Sequence, residues 1–337
     1  MRVKNDAEFI TASIESCINA LDELIVVYND CTDNSAEIID IMHQRYPQKI
    51  RVFEYPYRVL GVGLTKDEYE AAKELPDDSP ELLCNYYNFA LSKVRYDYAI
   101  KIDADQIYFT ERLKKWCDVL REGNKEKGSF LLGSLFNCYF RIYRLLCLKM
   151  RKRLPLMPKW LVSLLKPHYE YYAIQQTIRG KSCLSLSGIN VFKDIDWNVS
   201  LGLKHDSINV LPPFNGENDH LLFRVSDKTY YRKFDMEYYN LISNSSYSLI
   251  EEFVHPYKPM LMGFCWFHLN SMRNRLKKEI QKVKKDNPTA FMPIGQFLSH
   301  DYRDVERRTD KRIHTLYQRI LFSYIYNADK ESIKANV

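Results

Sequence analysis

The chain has 337 residues, of which 46% are hydrophobic, and it carries a formal net charge of +6 at pH 7. This hydrophobic content excludes a disordered chain, and the length allows one large core or one core with a smaller subdomain. No run of about 18 apolar residues predicts a membrane span, and no signal-peptide pattern opens the sequence. We therefore expect a cytoplasmic protein.

Charge is unevenly distributed along the chain. Residues 1–128 contain 17 Lys and Arg against 24 Asp and Glu, whereas residues 129–337 contain 32 against 19. An acidic first part suggests a cation site, and a basic second part suggests anionic partners. The eight cysteines occur singly, without a Cys-x-x-Cys pair. They indicate reduced thiols rather than a zinc site or a disulfide framework.

The first hundred residues alternate between strand and helix patterns. The predicted elements are a strand ending near residue 6, a helix at 9–21, a strand at 24–28, a helix at 36–46 and a strand at 50–55. This order predicts an α/β fold with a Rossmann-like, doubly wound, mostly parallel sheet. Ligands bind at the carboxyl ends of such strands, where Asn5, Asp30 and Asp103 would lie.

A short strand pattern at 98–102 ends in two aspartates, Asp103 and Asp105. Two carboxylates at a strand end can direct oxygen ligands at one hard divalent cation, and that cation can hold a diphosphate. This is the chemistry of a nucleotide-sugar transferase. The alternative is a solvated turn, because Asp-x-Asp is common by chance. A helix predicted at 81–96 presents Asn85 and Asn88 either to a nucleotide or simply to solvent.

Five motifs in this region occur together and in register. They are RVKND at 2–6, YNDCTDNS at 28–35, YPY at 55–57, YYN at 86–88 and IKIDAD at 100–105. With this order and spacing, the chain resembles the bacterial lipooligosaccharide β-1,4-N-acetylgalactosaminyltransferase family. More broadly, it is similar to family 2-like inverting glycosyltransferases of the GT-A fold. The resemblance covers about residues 1–110 and is thin beyond them.

The resemblance implies a nucleotide pocket at the edge of the sheet. Asp30 stands where such enzymes place the carboxylate that accepts a hydrogen bond from the uracil imide. Lys4 and Asn5 would line the pocket, and Asn88 would lie near the ribose or the diphosphate.

The resemblance also implies a metal site for Mn²⁺ or Mg²⁺. Asp103 and Asp105 would bracket the ribose and the ion, with Asp105 as the first choice of direct ligand. A divalent ion has a physical reason here, because an acidic rim would otherwise repel two phosphates. A late histidine closes the metal shell in many GT-A enzymes, which makes His268 the candidate third ligand. The alternatives are a buried His268 that is hydrogen-bonded to backbone, and His255 as a weaker ligand candidate.

Residues 129–166 form a basic, aromatic segment. From residue 130 to residue 166 there are eight Lys and Arg and no Asp or Glu, interleaved with aromatic residues and leucines. An amphipathic segment of this composition can lie in the headgroup region of an anionic membrane. The alternative is a helical hairpin packed on the core with a solvated basic edge. Nucleic acid is not an expected partner, because no recognition motif accompanies these residues.

The stretch 214–222 combines a glycine-led turn, clustered acidic residues and an apolar run. An inverting transferase needs a carboxylate that deprotonates the acceptor hydroxyl as it attacks C1 from the face opposite UDP. Asp219 and Glu217 are the candidates for this catalytic base, with Asp219 slightly ahead. A carboxylate that caps the start of a helix is the alternative.

The last third of the chain ends in helical, strongly charged patterns at 271–285 and 302–326. The second of these helices is basic, with one apolar face. Packing on the core, pairing with a second subunit and contact with a membrane remain alternatives for that face. A homo-oligomer is therefore among the arrangements we consider.

These observations predict a metal-dependent, inverting GT-A glycosyltransferase that moves a sugar, with GalNAc as the best guess, from a UDP-sugar to a lipid-linked bacterial surface glycan. Galactose, glucose and galactofuranose donors, a retaining mechanism and a non-catalytic membrane-associated scaffold are the alternatives. A nucleotidyltransferase is less favoured, because no Gly-rich phosphate loop lies near the first strand. The predicted division is a nucleotide-sugar half at 1–128, the basic segment at 129–166, an acceptor half at 167–270 and basic helical additions at 271–337. The enzyme would act in the cytoplasm, with peripheral attachment to the inner face of the membrane as an alternative.

Overall fold

A computed structural model of the chain describes residues 1–123, 127–150, 157–204, 209–235 and 247–300, and near the carboxyl end residues 305, 326, 329–331 and 333–336. The described chain is a mixed α/β fold that divides into two compact units. Unit 1 comprises Met1–Asp105 and Arg224–Tyr257, and unit 2 comprises Gln106–Phe223 and Lys258–Val337. The residue bounds of these two units therefore differ from those of the four segments predicted above.

In chain order the described strands are β1 (Arg2–Val3), β2 (Leu24–Tyr28), β3 (Ile50–Glu54), β4 (Val62–Leu64), β5 (Tyr98–Ile100), β6 (Gln106–Tyr108), β7 (Ser182–Lys193), β8 (Trp197–Ser200), β9 (Leu203–Lys204), β10 (Asn209–Val210), β11 (Phe214–Arg224), β12 (Tyr230–Asp235), β13 (Tyr247–Val254), β14 (Lys258–His268) and β15 (Phe291–Pro293). The described α-helices are α1 (Ile10–Cys17), α2 (Ser35–Arg45), α3 (Lys66–Glu74), α4 (Leu83–Ser92), α5 (Thr110–Arg121), α6 (Phe130–Met150), α7 (Lys159–Ile178), α8 (Asn274–Asp286) and α9 (Ile294–Ser299). The predicted helix at 302–326 lies outside the described residues, apart from residues 305 and 326.

Unit 1 contains the predicted parallel sheet. Strands β1, β2 and β3 pair in that order, all parallel, with Val3 opposite Tyr28 and Tyr28 opposite Glu54. A parallel pair needs a crossover, and here α1 and α2 supply the two crossovers. The parallel arrangement predicted for the first hundred residues is therefore confirmed for these three strands, whose carboxyl ends lie at one edge.

A second sheet of unit 1 is built from strands that are distant in sequence. Strand β13 pairs antiparallel with β12 on one side and with β4 on the other. Residues of α3, α4, β4 and β13 form a buried core that includes Tyr69 and Leu249. This pairing brings residues 224–257 into unit 1, although they follow most of unit 2 in the sequence.

Unit 2 is organised around the long, buried strand β7. Strand β11 pairs with β7 antiparallel, whereas β14 pairs with it parallel. Strand β8 follows β7 after a short connection and pairs antiparallel with it, as such connections require. The sheet of unit 2 is thus mixed and not mostly parallel, so the predicted parallel sheet is wrong for this part. The alternating pattern behind that prediction covered only the first hundred residues.

The basic segment forms an antiparallel helical hairpin of α6 and α7. The rings of Phe136 and Tyr169 lie 5.5 Å apart, and those of Phe130 and Tyr172 lie 4.8 Å apart. At Gly133 an added Cβ would stand 2.1 Å from the backbone oxygen of His168, so only glycine permits this approach. Among the described residues, no helix combines the length and the apolar character that crossing a bilayer demands.

Candidate functional site

The loops after β1 and β2 are joined by Asn5. Its side-chain oxygen accepts a hydrogen bond from the Thr32 N–H at 2.7 Å, and its amide nitrogen donates to Thr32 Oγ1 at 3.1 Å. Asn5 and Asp30 have φ angles of 56° and 44°, in the left-handed region that Asn and Asp tolerate better than other residues with a side chain. The left-handed backbone conformation therefore favours Asn and Asp at these two positions, whether or not a ligand binds there.

Asp30 presents its carboxylate to solvent at the carboxyl end of β2. Its side chain is 64% exposed, and Lys4 Nζ lies 3.4 Å from its Oδ2. An ion pair this exposed contributes little to stability. Asp30 is therefore available to a ligand, and Lys4 lies beside it, as the predicted nucleotide pocket requires. The role of both residues in nucleotide binding stays a prediction.

Beneath this edge, Asn29 anchors the loop that follows β3. It is 1% exposed, and its amide nitrogen donates to the backbone oxygens of Tyr55 at 2.8 Å and Tyr57 at 2.6 Å. Its side-chain oxygen is buried and has no hydrogen-bond partner in the part of the chain that the structure describes. Sequence reasoning missed this residue, because nothing in the local pattern distinguishes it from a solvated turn residue.

Two further carboxylates shape the start of α2. Asp6 is buried, its Oδ2 accepts from the Lys4 N–H at 3.2 Å, and its own N–H donates to Ser35 Oγ at 2.9 Å. Asp33 accepts from the N–H groups of Ala7 and Ser35 at 3.1 and 3.0 Å. Partial burial alone would raise the pKa of Asp33, but these hydrogen bonds and the Ser35 hydroxyl lower it overall. Asp33 thus stabilises the start of the helix.

Asp103 lies beside β1 in unit 1. It forms a parallel bridge with Arg2, and its backbone oxygen accepts from Ser13 Oγ at 3.0 Å. Lys101 Nζ lies 3.7 Å from Asp103 Oδ2 and 3.9 Å from Glu251 Oε1. The carboxylate of Asp103 therefore already has a partly buried cation beside it, which lowers its need for a metal ion and would compete with one.

Asp105 lies in the turn between β5 and β6 and is buried, with 8% of its surface exposed, whereas the side chain of Asp103 is 25% exposed. Carboxylate oxygens are the ligands that Mn²⁺ and Mg²⁺ prefer. Within the described ranges, no group of three or more His, Cys, Asp and Glu side chains could hold a metal. The donor chemistry of this turn thus suits a divalent ion with two carboxylates among its ligands.

Asn88 uses its side chain to hold β12. Its amide nitrogen donates to the Tyr231 backbone oxygen and its amide oxygen accepts from the Tyr231 N–H, both at 2.8 Å. Asn85 donates in the same way to the backbone oxygens of Asp77 and Ser79, at 2.7 and 2.8 Å. Both asparagines of α4 therefore stabilise neighbouring backbone segments through hydrogen bonds. Contact of Asn88 with a nucleotide stays a prediction, and its amide already has two backbone partners.

His268 ends β14 in unit 2. Its Nδ1 lies 2.7 Å from Asn190 Oδ1 and 2.7 Å from Asn215 Nδ2, from strands β7 and β11. Neighbouring Trp266 is fully buried, with its ring 4.4 Å from that of His220. Two side-chain amides therefore lie against its ring nitrogen. Whether His268 binds a metal stays a prediction.

The candidate bases Glu217 and Asp219 lie in strand β11, and their side chains are outside the described part of the chain. The register of β11 against β7 shifts between Asn215 and His220. Gly216 has a φ of 86°, and an added Cβ would stand 2.5 Å from the Trp266 ring. The predicted glycine turn is thus a bulge within a strand, and the helix-cap alternative is wrong. Bulges often re-aim side chains beside active sites.

Comparison with known families supports the resemblance. Residues 1–127 match the family model of beta-1,4-N-acetylgalactosaminyltransferase (CgtA). A comparison with curated proteins gave no match. The matched range holds Lys4, Asn5, Asp30 and Asn88 and the turn at 103–105, whereas the candidate residues of β11 and β14 lie beyond it. The match confirms the family resemblance over residues 1–127 and identifies the chain as an enzyme, a glycosyltransferase.

Proposed function

We propose that the chain is a metal-dependent, inverting transferase of GT-A type that moves GalNAc from UDP-GalNAc to a hydroxyl of a bacterial surface glycan. The observation that carries the proposal is the exposed carboxylate of Asp30 at the carboxyl end of a parallel strand, beside Lys4, within the matched family range. Asp30 would accept a hydrogen bond from the uracil imide. A charge-assisted bond of this kind discriminates well between bases.

Asp103 and Asp105 would hold Mn²⁺ or Mg²⁺, and His268 is the proposed third protein ligand. When bound, a divalent ion neutralises the diphosphate and so stabilises UDP as a leaving group. Lys101 already balances part of the charge of Asp103 and Glu251. We therefore expect the more buried Asp105 to be the stronger determinant of metal affinity.

The acceptor hydroxyl would attack C1 of the sugar on the face opposite UDP. Its oxygen forms the new bond to C1 while the bond from C1 to the UDP oxygen breaks, and the electron pair leaves with UDP. The hydroxyl proton passes to a carboxylate, for which Asp219 and Glu217 are the proposed bases. Galactose, glucose and galactofuranose are the alternative donor sugars, because the proposed contacts are to base, ribose and phosphates.

The first test measures both the thermal stability and the release of UDP with a panel of UDP-sugars, with and without Mn²⁺. We expect one donor to raise the melting temperature and to release UDP only with metal. Asp105→Ala should abolish both effects. Asp78→Asn is the matched control, because Asp78 is an exposed carboxylate of unit 1 that belongs to none of the predicted sites. Failure of every UDP-sugar to bind, with or without metal, would overturn the proposal.

A further inference from the structure

Helix α6 is apolar on two opposite sides. Phe136 and Tyr143 are buried on one side, and Phe136 packs against Tyr169 of α7. Leucines and an isoleucine on the other side are each between 52% and 66% exposed and recur every three to seven residues. This spacing places them on one outward stripe of the helix. They are Leu131, Leu135, Ile142 and Leu145.

Helix α7 adds an outward apolar pair. Trp160 is 68% exposed and Leu164 is 59% exposed, and their spacing of four residues places them on one side of the helix. We call the six side chains of both helices the hairpin face: Leu131, Leu135, Ile142, Leu145, Trp160 and Leu164. Single exposed apolar residues are normal on a monomer, but a concentration of large ones on one helical hairpin marks a surface that binds something.

The charge around the hairpin face is of one sign. Residues 130–166 hold eight Lys and Arg and no acidic residue. On α6, Arg141 and Lys149 are exposed within or beside the apolar stripe. On α7, Lys166 instead turns to Asp329 and Glu170 of the same unit. Of the cations whose side chains are described, Arg141 and Lys149 are therefore available to an anionic surface.

We propose that the hairpin face lies in the interface of an anionic lipid bilayer. Leucines and a tryptophan would enter the boundary between headgroups and acyl chains, while arginines and lysines pair with anionic headgroups. None of the described helices can span a bilayer, so the contact would lie in the membrane plane. The proposal goes beyond the transferase activity, because membrane binding needs neither donor nor acceptor.

The test is sedimentation of the full chain with vesicles of phosphatidylcholine, alone or with about one third phosphatidylglycerol. We expect binding to the anionic vesicles, weakened by high salt because the charge attraction is screened. Leu135→Ser and Trp160→Ser should each weaken binding about tenfold, and Arg141→Gln about fivefold. The matched controls are Ile195→Ser, an exposed apolar residue, and Lys114→Gln, an exposed cation, both elsewhere in unit 2.

Tryptophan fluorescence gives a second readout, which distinguishes insertion of Trp160 into the membrane from general unfolding of the protein. Of the four tryptophans, Trp116 and Trp266 are buried, Trp197 is 37% exposed and Trp160 is the most exposed. Anionic vesicles should shift the emission to the blue, and brominated lipids should quench it. Trp160→Phe should remove the shift but keep most of the sedimentation, whereas Trp197→Phe should keep both.

Three outcomes would overturn the membrane proposal. The first is the absence of sedimentation with anionic vesicles at low salt. The second is a concentration-dependent dimer in a protein that does not bind vesicles, if Leu135→Ser and Trp160→Ser dissociate that dimer, since a second copy would then cover the hairpin face. The third is an equal loss of vesicle binding in the control variants. Thermal unfolding of each variant checks that the fold is intact.

Discussion

Asn190 holds His268 across two neighbouring parallel strands, with 2.7 Å between Asn190 Oδ1 and His268 Nδ1. The amide of Asn190 is fixed in this orientation, because its nitrogen donates to the Pro212 backbone oxygen at 2.6 Å. An amide oxygen can only accept, so this bond places a proton on Nδ1, and in the neutral imidazole the lone pair is then on Nε2. A 180° rotation of the Asn215 side-chain amide would place its oxygen, instead of its nitrogen, beside the Nδ1–H group of His268.

We predict from this pair that Asn190 is a positioning residue for His268. Asn190→Ala should lower kcat/KM about tenfold and raise the Mn²⁺ concentration that gives half activity, as removal of the outer partner of a metal-bound histidine does. The control is Asn198→Ala, which removes another buried asparagine of unit 2, one that donates to the Asp196 backbone oxygen. That variant should lose stability but keep the Mn²⁺ dependence. Equal Mn²⁺ curves for both variants would contradict the positioning role.

Asp30→Asn should reduce the preference for uridine. Asparagine tolerates the left-handed backbone at this position, so the change removes charge without strain. We expect the affinity for UDP to fall about five- to tenfold, because a charge-assisted bond becomes a neutral one. The affinity for CDP should change little, since cytosine has no imide N–H to donate.

Titration calorimetry with UDP and CDP measures both affinities. Asp67→Asn, an exposed carboxylate on α3 of unit 1, serves as the control and should bind as the wild type does. If Asp30→Asn weakened UDP and CDP equally, Asp30 would act through general electrostatics and not through the base.

Local patterns in the sequence were sufficient to predict the edge that carries Asp30. Strands β2 and β3 and the helix between them have their own apolar spacing, and parallel strands place their ends at one edge. The use of Asn88 was not predictable, because its partner Tyr231 lies 143 residues away. Strand β11 resembled a turn because Gly216 interrupts it, and only pairing with β7 shows a bulge. Contacts between residues distant in the sequence thus determine the role of Asn88 and the bulge at Gly216, which local sequence patterns could not predict.

Gly263→Ala should strongly destabilise unit 2. Gly263 has a φ of 101°, and an added Cβ would stand 1.7 Å from Asp329 Oδ2 and 2.5 Å from Arg112 Nη2. Asp329 is buried and accepts from Arg112 Nη2 at 3.0 Å and from the Phe264 N–H at 3.2 Å, and Lys166 pairs with its other oxygen. Displacing the carboxylate would leave buried charges uncompensated, so we expect a loss of about 3 kcal/mol.

Urea unfolding measures this loss. Gly295→Ala is the matched control, because an added Cβ there meets nothing within 4 Å at the start of helix α9. Its free energy of unfolding should stay unchanged or rise by about 0.5 kcal/mol, since alanine favours helix more than glycine does. Asp329→Asn should be destabilising like Gly263→Ala. A stable Gly263→Ala protein would show that Asp329 can leave its position without cost.

His255 should make unit 1 less stable as the pH falls below about 6.5. Burial lowers the pKa of His255, and a backbone hydrogen bond with Tyr257 offsets only part of this shift. The unfolded chain therefore takes up a proton at a higher pH than the folded chain does, so acid favours unfolding from about pH 6.5 down to the lowered pKa. One proton limits the slope to about 1.4 kcal/mol per pH unit, and partial exposure keeps it below that limit.

His255→Phe tests this sign. The ring of His255 stacks on those of Phe253 at 5.2 Å and Tyr257 at 6.0 Å, and phenylalanine keeps an aromatic ring there without a titrating group. Urea unfolding at pH 7.5, 6.5 and 5.5 should give a smaller loss of stability on acidification for the variant than for the wild type. Parallel curves for the two proteins would mean that His255 titrates alike in the folded and unfolded chains. A steeper curve for the variant would mean that folding raises the pKa of His255, and acid would then stabilise the fold through this residue.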